Sequence, residues 1–267
     1  MTVVTPVQFG AMAALQIDAP DGARAIVTLY GAHLVSWKGA NGREHLFCST
    51  RSALDGRRAI RGGVPVIFPQ FAERGSGMRH GFARVSQWRP GESGMQAGEA
   101  WAAFHLSHAD LAPAQAQAWP QRFELVLRVA LSANQLRMSL DVRNDGETAF
   151  EFSSALHSYL AVDDLGAVRI DGVQDGSLAI DGKLDQIFRG IGGAITLHAG
   201  AASLQLEQDG FCDAVVWNPG AADTAALADM EDDDYLRFVC IEPALIGPLE
   251  LAPGASWQGR HQIIAGE

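Results

Sequence analysis

Two neighbouring stretches constrain this chain more than anything else in its 267 residues. Phe123, Leu125, Leu127 and Val129 alternate with Arg122, Glu124, Val126 and Arg128. Leu136, Met138, Leu140 and Val142 alternate with Arg137, Ser139, Asp141 and Arg143. A strict period of two, repeated across Ser132-Ala133-Asn134, predicts an antiparallel hairpin with one buried face and one wet face. Similar short runs recur at 24–30, 32–37, 82–88, 101–106, 150–160, 168–171, 178–180, 194–198, 202–208, 211–217, 235–242 and 256–264. Turn residues separate them, Asn41-Gly42 and Asn144-Asp145-Gly146 among them. Roughly fifteen short strands at this spacing predict an all-β fold, a large antiparallel sandwich or barrel. Residues 91–98 read as a loop, 109–120 as a surface connection, and 223–230 as a helical turn capped by Asp223. No repeat or linker interrupts the pattern, so 1–267 reads as a single domain.

Charge and cysteine usage exclude several classes of function. Lys and Arg number 20 against 31 Asp and Glu, a net charge of −11. Nucleic-acid binding needs a basic footprint, so no nucleic-acid partner is expected. Cys48, Cys212 and Cys240 are widely spaced. They fit a reduced, cytoplasmic protein with neither a disulfide framework nor a zinc site. The first residues lack a basic segment followed by an apolar run, and no stretch of about 18 apolar residues occurs, so neither a signal peptide nor a membrane span is expected.

Against this acidic background, residues 61–84 concentrate cations, glycines and prolines. Arg61-Gly62-Gly63-Val64-Pro65 opens the stretch and Arg79-His80-Gly81-Phe82-Ala83-Arg84 closes it. Glycine serves where backbone turns sharply or approaches a ligand closely. Proline is expected to fix a turn around Val66-Ile67-Phe68. The guanidinium fork suits phosphate or carboxylate oxygens. The stretch reads either as a loop presenting cations to an anionic, polyhydroxylated molecule or as a surface loop paired with nearby acids.

Two further residues could do proton chemistry. In 150–160, Phe150, Phe152, Leu156 and Leu160 share one face, and Glu151, Ser153, His157 and Tyr159 the other. His157 is therefore expected either in a wet cleft, where it could exchange protons, or as a hydrogen-bonded half-buried residue. Leu236, Phe238, Cys240 and Glu242 share a face of 235–242. Glu242 is either solvated at the end of that strand, before Pro243, or buried beside a partner that would make it a base. The run 231–234 reads as an exposed acidic turn. Trp217 reads as core rather than as a sugar platform.

Arg61-Gly62-Gly63-x-Pro65, His80-Gly81-Phe82-Ala83-Arg84, Leu156-His157-Ser158-Tyr159-Leu160, Asp185-Gln186-Ile187-Phe188, Trp217-Asn218-Pro219 and Val239-Cys240-Ile241-Glu242 occur in that order. This set resembles the hexose-6-phosphate mutarotase branch of the aldose 1-epimerase family, over about residues 25–262. The resemblance implies a β-sandwich of the galactose-mutarotase type, with its site on a concave sheet face. It implies His157 as general acid and Glu242 as general base, on opposite sides of the reacting centre. It places Arg61, His80, Arg84 and Asp185 against a small-molecule sugar phosphate, with Asp185 preferred over Asp181. Arg79, where relatives more often carry Gln, is expected to touch the substrate too. Neither a metal nor an organic cofactor is implied, and a monomer is expected. The other readings are a mutarotase of unphosphorylated aldoses and a sugar-binding module without turnover.

Overall fold

The alternating stretches form the hairpin expected of them. In the computed structural model, which describes residues 3–200 and 202–266, strands Phe123–Ser132 and Gln135–Asn144 pair antiparallel around a two-residue turn. Leu125, Leu127, Val129, Leu136, Met138, Leu140 and Val142 are buried in the core. The hairpin lies within a nine-stranded antiparallel sheet. A four-stranded sheet runs from Val4–Phe9 to His33–Lys38. A six-stranded sheet is ordered Leu184–Arg189, Asp213–Asn218, Phe238–Leu251, Phe150–Leu156 and Val66–Ile67, with Tyr159–Ala161 also paired to Phe238–Leu251. Side chains from all three sheets meet in one large apolar cluster that includes Trp37, Phe104, Leu125, Phe152, Leu156, Val239 and Ile241. The architecture is the antiparallel β-sandwich expected.

Several local expectations give way to tertiary context. Residues 91–98 are not a loop: Arg89–Gln96 is a strand paired with Glu99–Ser107, and its edge position tolerates Pro90 and the glycines. Residues 82–88 are not a strand but contain the 3-10 turn Ala83–Val85. The connection 109–120 holds a helix, Pro113–Ala118. The other helix runs Gly220–Ala226 with Pro219, not Asp223, at its cap. The N-terminal hairpin of Val4–Phe9 and Met12–Asp18, with Pro6 in its edge strand, lacks the apolar alternation that marks the others. Val66-Ile67 is a short strand against Leu156 and Ala155 rather than a turn. No helix among the described residues is long and apolar enough to cross a membrane.

The strand Phe238–Leu251 continues well past Pro243. Its register positions the candidate chemistry. Ala155 pairs with Ala244 and Tyr159 with Cys240, which brackets His157 opposite Glu242. Proline has no N–H to donate to a ladder. Next to Pro243 the neighbouring strand is interrupted between Leu156 and Tyr159: the Leu156 carbonyl accepts from the Ser158 N–H at 2.9 Å, and on the other side the His157 N–H donates to the Pro65 carbonyl at 3.0 Å.

Candidate active site

Alternation along two adjacent strands separates core from site. Val239 and Ile241 enter the large core, while Cys240 and Glu242 point to the opposite face of the six-stranded sheet. Leu156 and Leu160 enter the core, while His157 and Tyr159 share the other face. Two smaller apolar clusters flank that face. One contains Ile67, Phe71, Ala155, Val215, Ala244 and Ile246, the other Phe47, Tyr159, Met230, Phe238 and Cys240. The face is therefore buried and flanked by apolar side chains, more enclosed than either the wet cleft or the half-buried position expected of His157. His157 is 9% exposed and Glu242 1%.

His157 Nδ1 lies 3.3 Å from Glu242 Oε1. The two sit side by side on one floor rather than on opposite sides of a substrate. Nδ1 of His157 and Oε2 of Glu242 are buried without a hydrogen-bond partner. Tyr159 stacks on the His157 ring at 4.8 Å, and Trp217 meets it edge-on at 5.8 Å. Trp217 is thus half-buried at the site, not wholly in the core.

Burial pushes Glu242 well above the usual carboxylate range, and the charge of Asp185 adds to it. Burial pushes His157 well below the usual imidazole value, with His80, Arg61 and Arg84 contributing. Both shifts favour a neutral carboxyl beside a neutral imidazole.

The cation-rich stretch wraps this pair. Arg61 donates from Nε to Asp229 and from a terminal nitrogen to the Tyr159 hydroxyl, both at 3.2 Å. Burial works against its charge, but Tyr159 and Asp229 outweigh burial and hold it cationic. Arg84 donates to the Arg79 carbonyl at 2.9 Å, and its buried Nε has no partner. Burial lowers its pKa. His80 Nδ1 accepts from the Ala72 N–H at 3.3 Å, which puts the ring proton on Nε2. Its ring lies 5.8 Å from that of His157, and burial with the charges of Arg84, Arg79 and Arg61 lowers its pKa to about 3. A neutral His80 can donate one hydrogen bond into the site.

Backbone conformation explains the glycines. Gly62 has φ +111°, and a Cβ there would lie 2.4 Å from the Phe47 carbonyl oxygen. Gly81 has φ +67°, and its Cβ would lie 2.0 Å from the Phe68 carbonyl oxygen. Each lets the chain pass against a neighbouring backbone directly after a site side chain, Arg61 in one case and His80 in the other.

The remaining expected residues fall at different depths. Asp185 lies on Leu184–Arg189, opposite Trp217, with its charge felt by Glu242. Asp181 precedes that strand in an exposed connection. The Arg79 side chain is 65% exposed and lies 3.7 Å from Glu73. Asp229 and Cys240 escaped the sequence reading as site residues. Asp234 corrects it: 1% exposed, it accepts hydrogen bonds from Ser49 and from the Glu231 N–H. Among the described residues one group could hold a metal ion, His157, Cys240 and Glu242, with ligand atoms within 4.8 Å of one another.

Comparison with known proteins places the chain in a family and a fold. Residues 13–181 match the family model described as aldose 1-epimerase. A protein of Cenchrus ciliaris, provisionally named glucose-6-phosphate 1-epimerase, is 32% identical over 90% of this chain and 81% of its own. An Escherichia coli protein of the same provisional name is 30% identical over 85% of this chain and 81% of its own. Among solved structures, a provisionally named mutarotase from Salmonella typhimurium superposes with a TM-score of 0.90 at 25% identity, covering all of this chain and 95% of its own. A galactose mutarotase-like protein of Clostridium acetobutylicum shares the fold, with a TM-score of 0.77 at 16% identity over 99% and 98% of the two chains.

Proposed function

We propose, since the chain belongs to the aldose 1-epimerase family, that it is an isomerase interconverting the α and β anomers of a hexose 6-phosphate, glucose 6-phosphate first among them. The observation that carries this reading is the buried contact between His157 and Glu242 at 3.3 Å, beside the guanidinium groups of Arg61 and Arg84.

Anomer exchange needs one proton removed from the C1 hydroxyl and one delivered to the ring oxygen. Both oxygens are bonded to the same carbon, so acid and base belong next to each other. A touching pair on one floor meets that need better than two groups on opposite sides. Glu242 takes the hydroxyl proton and His157 protonates the ring oxygen; C1 rotates in the open aldehyde, and the ring closes on the other face with the roles reversed. Each group contributes on the order of 10²–10⁴-fold, and holding both in place removes the entropic cost of recruiting them.

The proton must first move from carboxyl to imidazole, and substrate charge favours that move. A phosphate dianion between Arg61 and Arg84 offsets the positive charges that depress His157. Charge-assisted hydrogen bonds from the two arginines would also orient the sugar, with His80 and Asp185 at its hydroxyls and Arg79 at the rim. The same reading takes the chain as one monomeric domain in the cytoplasm, with a small sugar phosphate as partner and no organic cofactor.

Exchange NMR on the anomers of glucose 6-phosphate, galactose 6-phosphate, mannose 6-phosphate and free glucose tests the reading. The phosphorylated sugars should exchange faster with the protein than without it, and free glucose far less so. Equal rates with and without protein for every sugar end the enzyme reading. Equal acceleration of glucose and glucose 6-phosphate would assign the unphosphorylated aldoses instead.

A further inference from the structure

We propose that His157, Cys240 and Glu242 form a binding site for a thiophilic divalent ion such as Zn²⁺, and that such an ion switches the site off. The second half rests on the function proposed above; the first does not.

Acid–base chemistry accounts for an imidazole and a carboxyl here but not for a thiol. Cys240 is fully buried two residues before Glu242 on the same face, with Tyr159 and Trp217 as its cross-strand partners. As packing it is a small apolar filler between Phe47, Met230 and Phe238. As a donor it completes a nitrogen, sulfur and oxygen set whose atoms all lie within 4.8 Å of one another. Three such ligands with a fourth position open are the coordination of an accessible zinc site. With bonds of about 2.0–2.3 Å, a tetrahedral ion holds its donors about 3.5 Å apart. The His157–Glu242 edge is already 3.3 Å. The sulfur, at most 4.8 Å from the other two donors, has to draw in by roughly 1 Å.

Two of the donors carry unused capacity, since His157 Nδ1 and Glu242 Oε2 have no hydrogen-bond partner despite their burial. Binding would release one proton from the thiol and one from the carboxyl to solvent, while the neutral imidazole gives a lone pair. Thiolate and carboxylate then balance the two charges of the ion, so the pocket gains no net charge beside Arg61 and Arg84. An ion held this way occupies the atoms that must exchange protons with a sugar. Inhibition should therefore be competitive.

The test begins with Co²⁺, in protein carrying Cys212→Ser to remove the exposed thiol. One ion per chain should give a near-ultraviolet thiolate-to-cobalt band and the visible bands of a tetrahedral site, both bleached by Zn²⁺. This first measurement leaves Cys240 unchanged, so the absence of a thiolate band overturns the site outright. In Cys240→Ala the band should vanish; its persistence would overturn the assignment. Anomer exchange is then compared within each protein in micromolar Zn²⁺ and in chelator. The ratio should fall at least tenfold with Cys240 present and stay near one in Cys240→Ala. Cobalt binding without zinc inhibition would keep the site and overturn the switch. A protein with no anomer exchange at all would refute the proposed function while leaving the cobalt result to decide the site.

Discussion

The outer face of the nine-stranded sheet and the inner floor of the six-stranded sheet both carry charged side chains, and they treat them in opposite ways. On the outer face several charges have company. Arg128 donates to Gln96 at 2.7 Å and lies over the Trp101 ring. Arg137 pairs with Glu99, Arg260 with Asp209, and Gln258 donates to Asp141. On the inner floor His157, Glu242 and Arg84 keep buried polar atoms with no partner. Leaving such an atom unmade commonly costs about 1–3 kcal/mol. Such atoms also occur at His33, Trp37, His45 and His261; at the inner floor the side chains that meet are an imidazole and a carboxyl, 3.3 Å apart. That contact between two groups shifted in opposite directions is what the proposed acid–base function draws on.

The largest effect that can sharpen this contrast is removal of a proton carrier. Glu242→Gln keeps the shape and removes the charge. Anomer exchange of glucose 6-phosphate should fall by about 10²–10⁴-fold, with unfolding free energy unchanged or higher, because a buried ionisable group is gone. His157→Asn should behave alike. A loss of less than tenfold in exchange NMR would break the distinction between the two faces.

Next come the cations. A charged hydrogen bond contributes about 1.5–3 kcal/mol, so Arg61→Ala or Arg84→Ala should lower kcat/KM for glucose 6-phosphate roughly 10–100-fold. Turnover of free glucose should fall far less, since each loss also removes a charge that depresses His157. A related prediction needs no mutation. Phosphite dianion, occupying the place of the phosphate, should accelerate exchange of free glucose, because it offsets the charges that depress His157. Acceleration that survives in the Arg61→Ala, Arg84→Ala double variant would show that the arginines are not its target.

How much of this was legible beforehand depends on how far each feature reaches along the chain. The hairpin of 123–144 and the face assignments of His157 and Glu242 follow from alternation, a local property, and they hold despite the irregular register at Phe152–Ser154. Whether those faces were wet was not legible. The apolar clusters that dry them combine residues as distant as Phe47 and Phe238 or Ile67 and Ile246. Leu236, grouped by alternation with Glu242, lies 45% exposed in the turn Asp234–Arg237. Asp234 looked like a member of a solvated acidic run, yet it is sealed against Ser49, and Asp229, which nothing in the sequence singled out, pairs with Arg61. The motif-based resemblance proposed His157 as acid and Glu242 as base, but not that the two touch.

Acidification offers a smaller and global test. His33 is fully buried at the start of strand His33–Lys38, with Nε2 2.7 Å from the Gly62 carbonyl, and burial lowers its pKa to about 4. His261 is likewise buried and lowered to about 4. The unfolded chain, with imidazoles near 6.5, binds protons that the folded chain refuses between those values. Stability is therefore complete above the unfolded pKa and is lost as pH falls from about 6.5 towards 4. His33 alone should account for about 2 kcal/mol between pH 7 and pH 5. Urea unfolding of the unmodified protein and of His33→Gln at the two pH values measures that share, and parallel losses in both would refute it. Because His33 props Gly62, beside Arg61, catalysis should fail on the acid side together with this loop.

The smallest expected effect tests the contrast from its quiet side. Arg137 and Glu99 form an ion pair on the outer face with the arginine about half exposed. Exposed pairs typically contribute about 0.2–1 kcal/mol, because water screens the attraction and ordering two long side chains costs entropy. Arg137→Ala should therefore shift the urea midpoint only slightly and leave anomer exchange and its pH profile where they were. The same substitution at Arg84, whose guanidinium is buried with Nε unpaired, should do the reverse: it should cost the reaction dearly and cost stability little or nothing. If the two arginines instead exchange these profiles, burial without a partner is not what separates the working face of this molecule from its idle one.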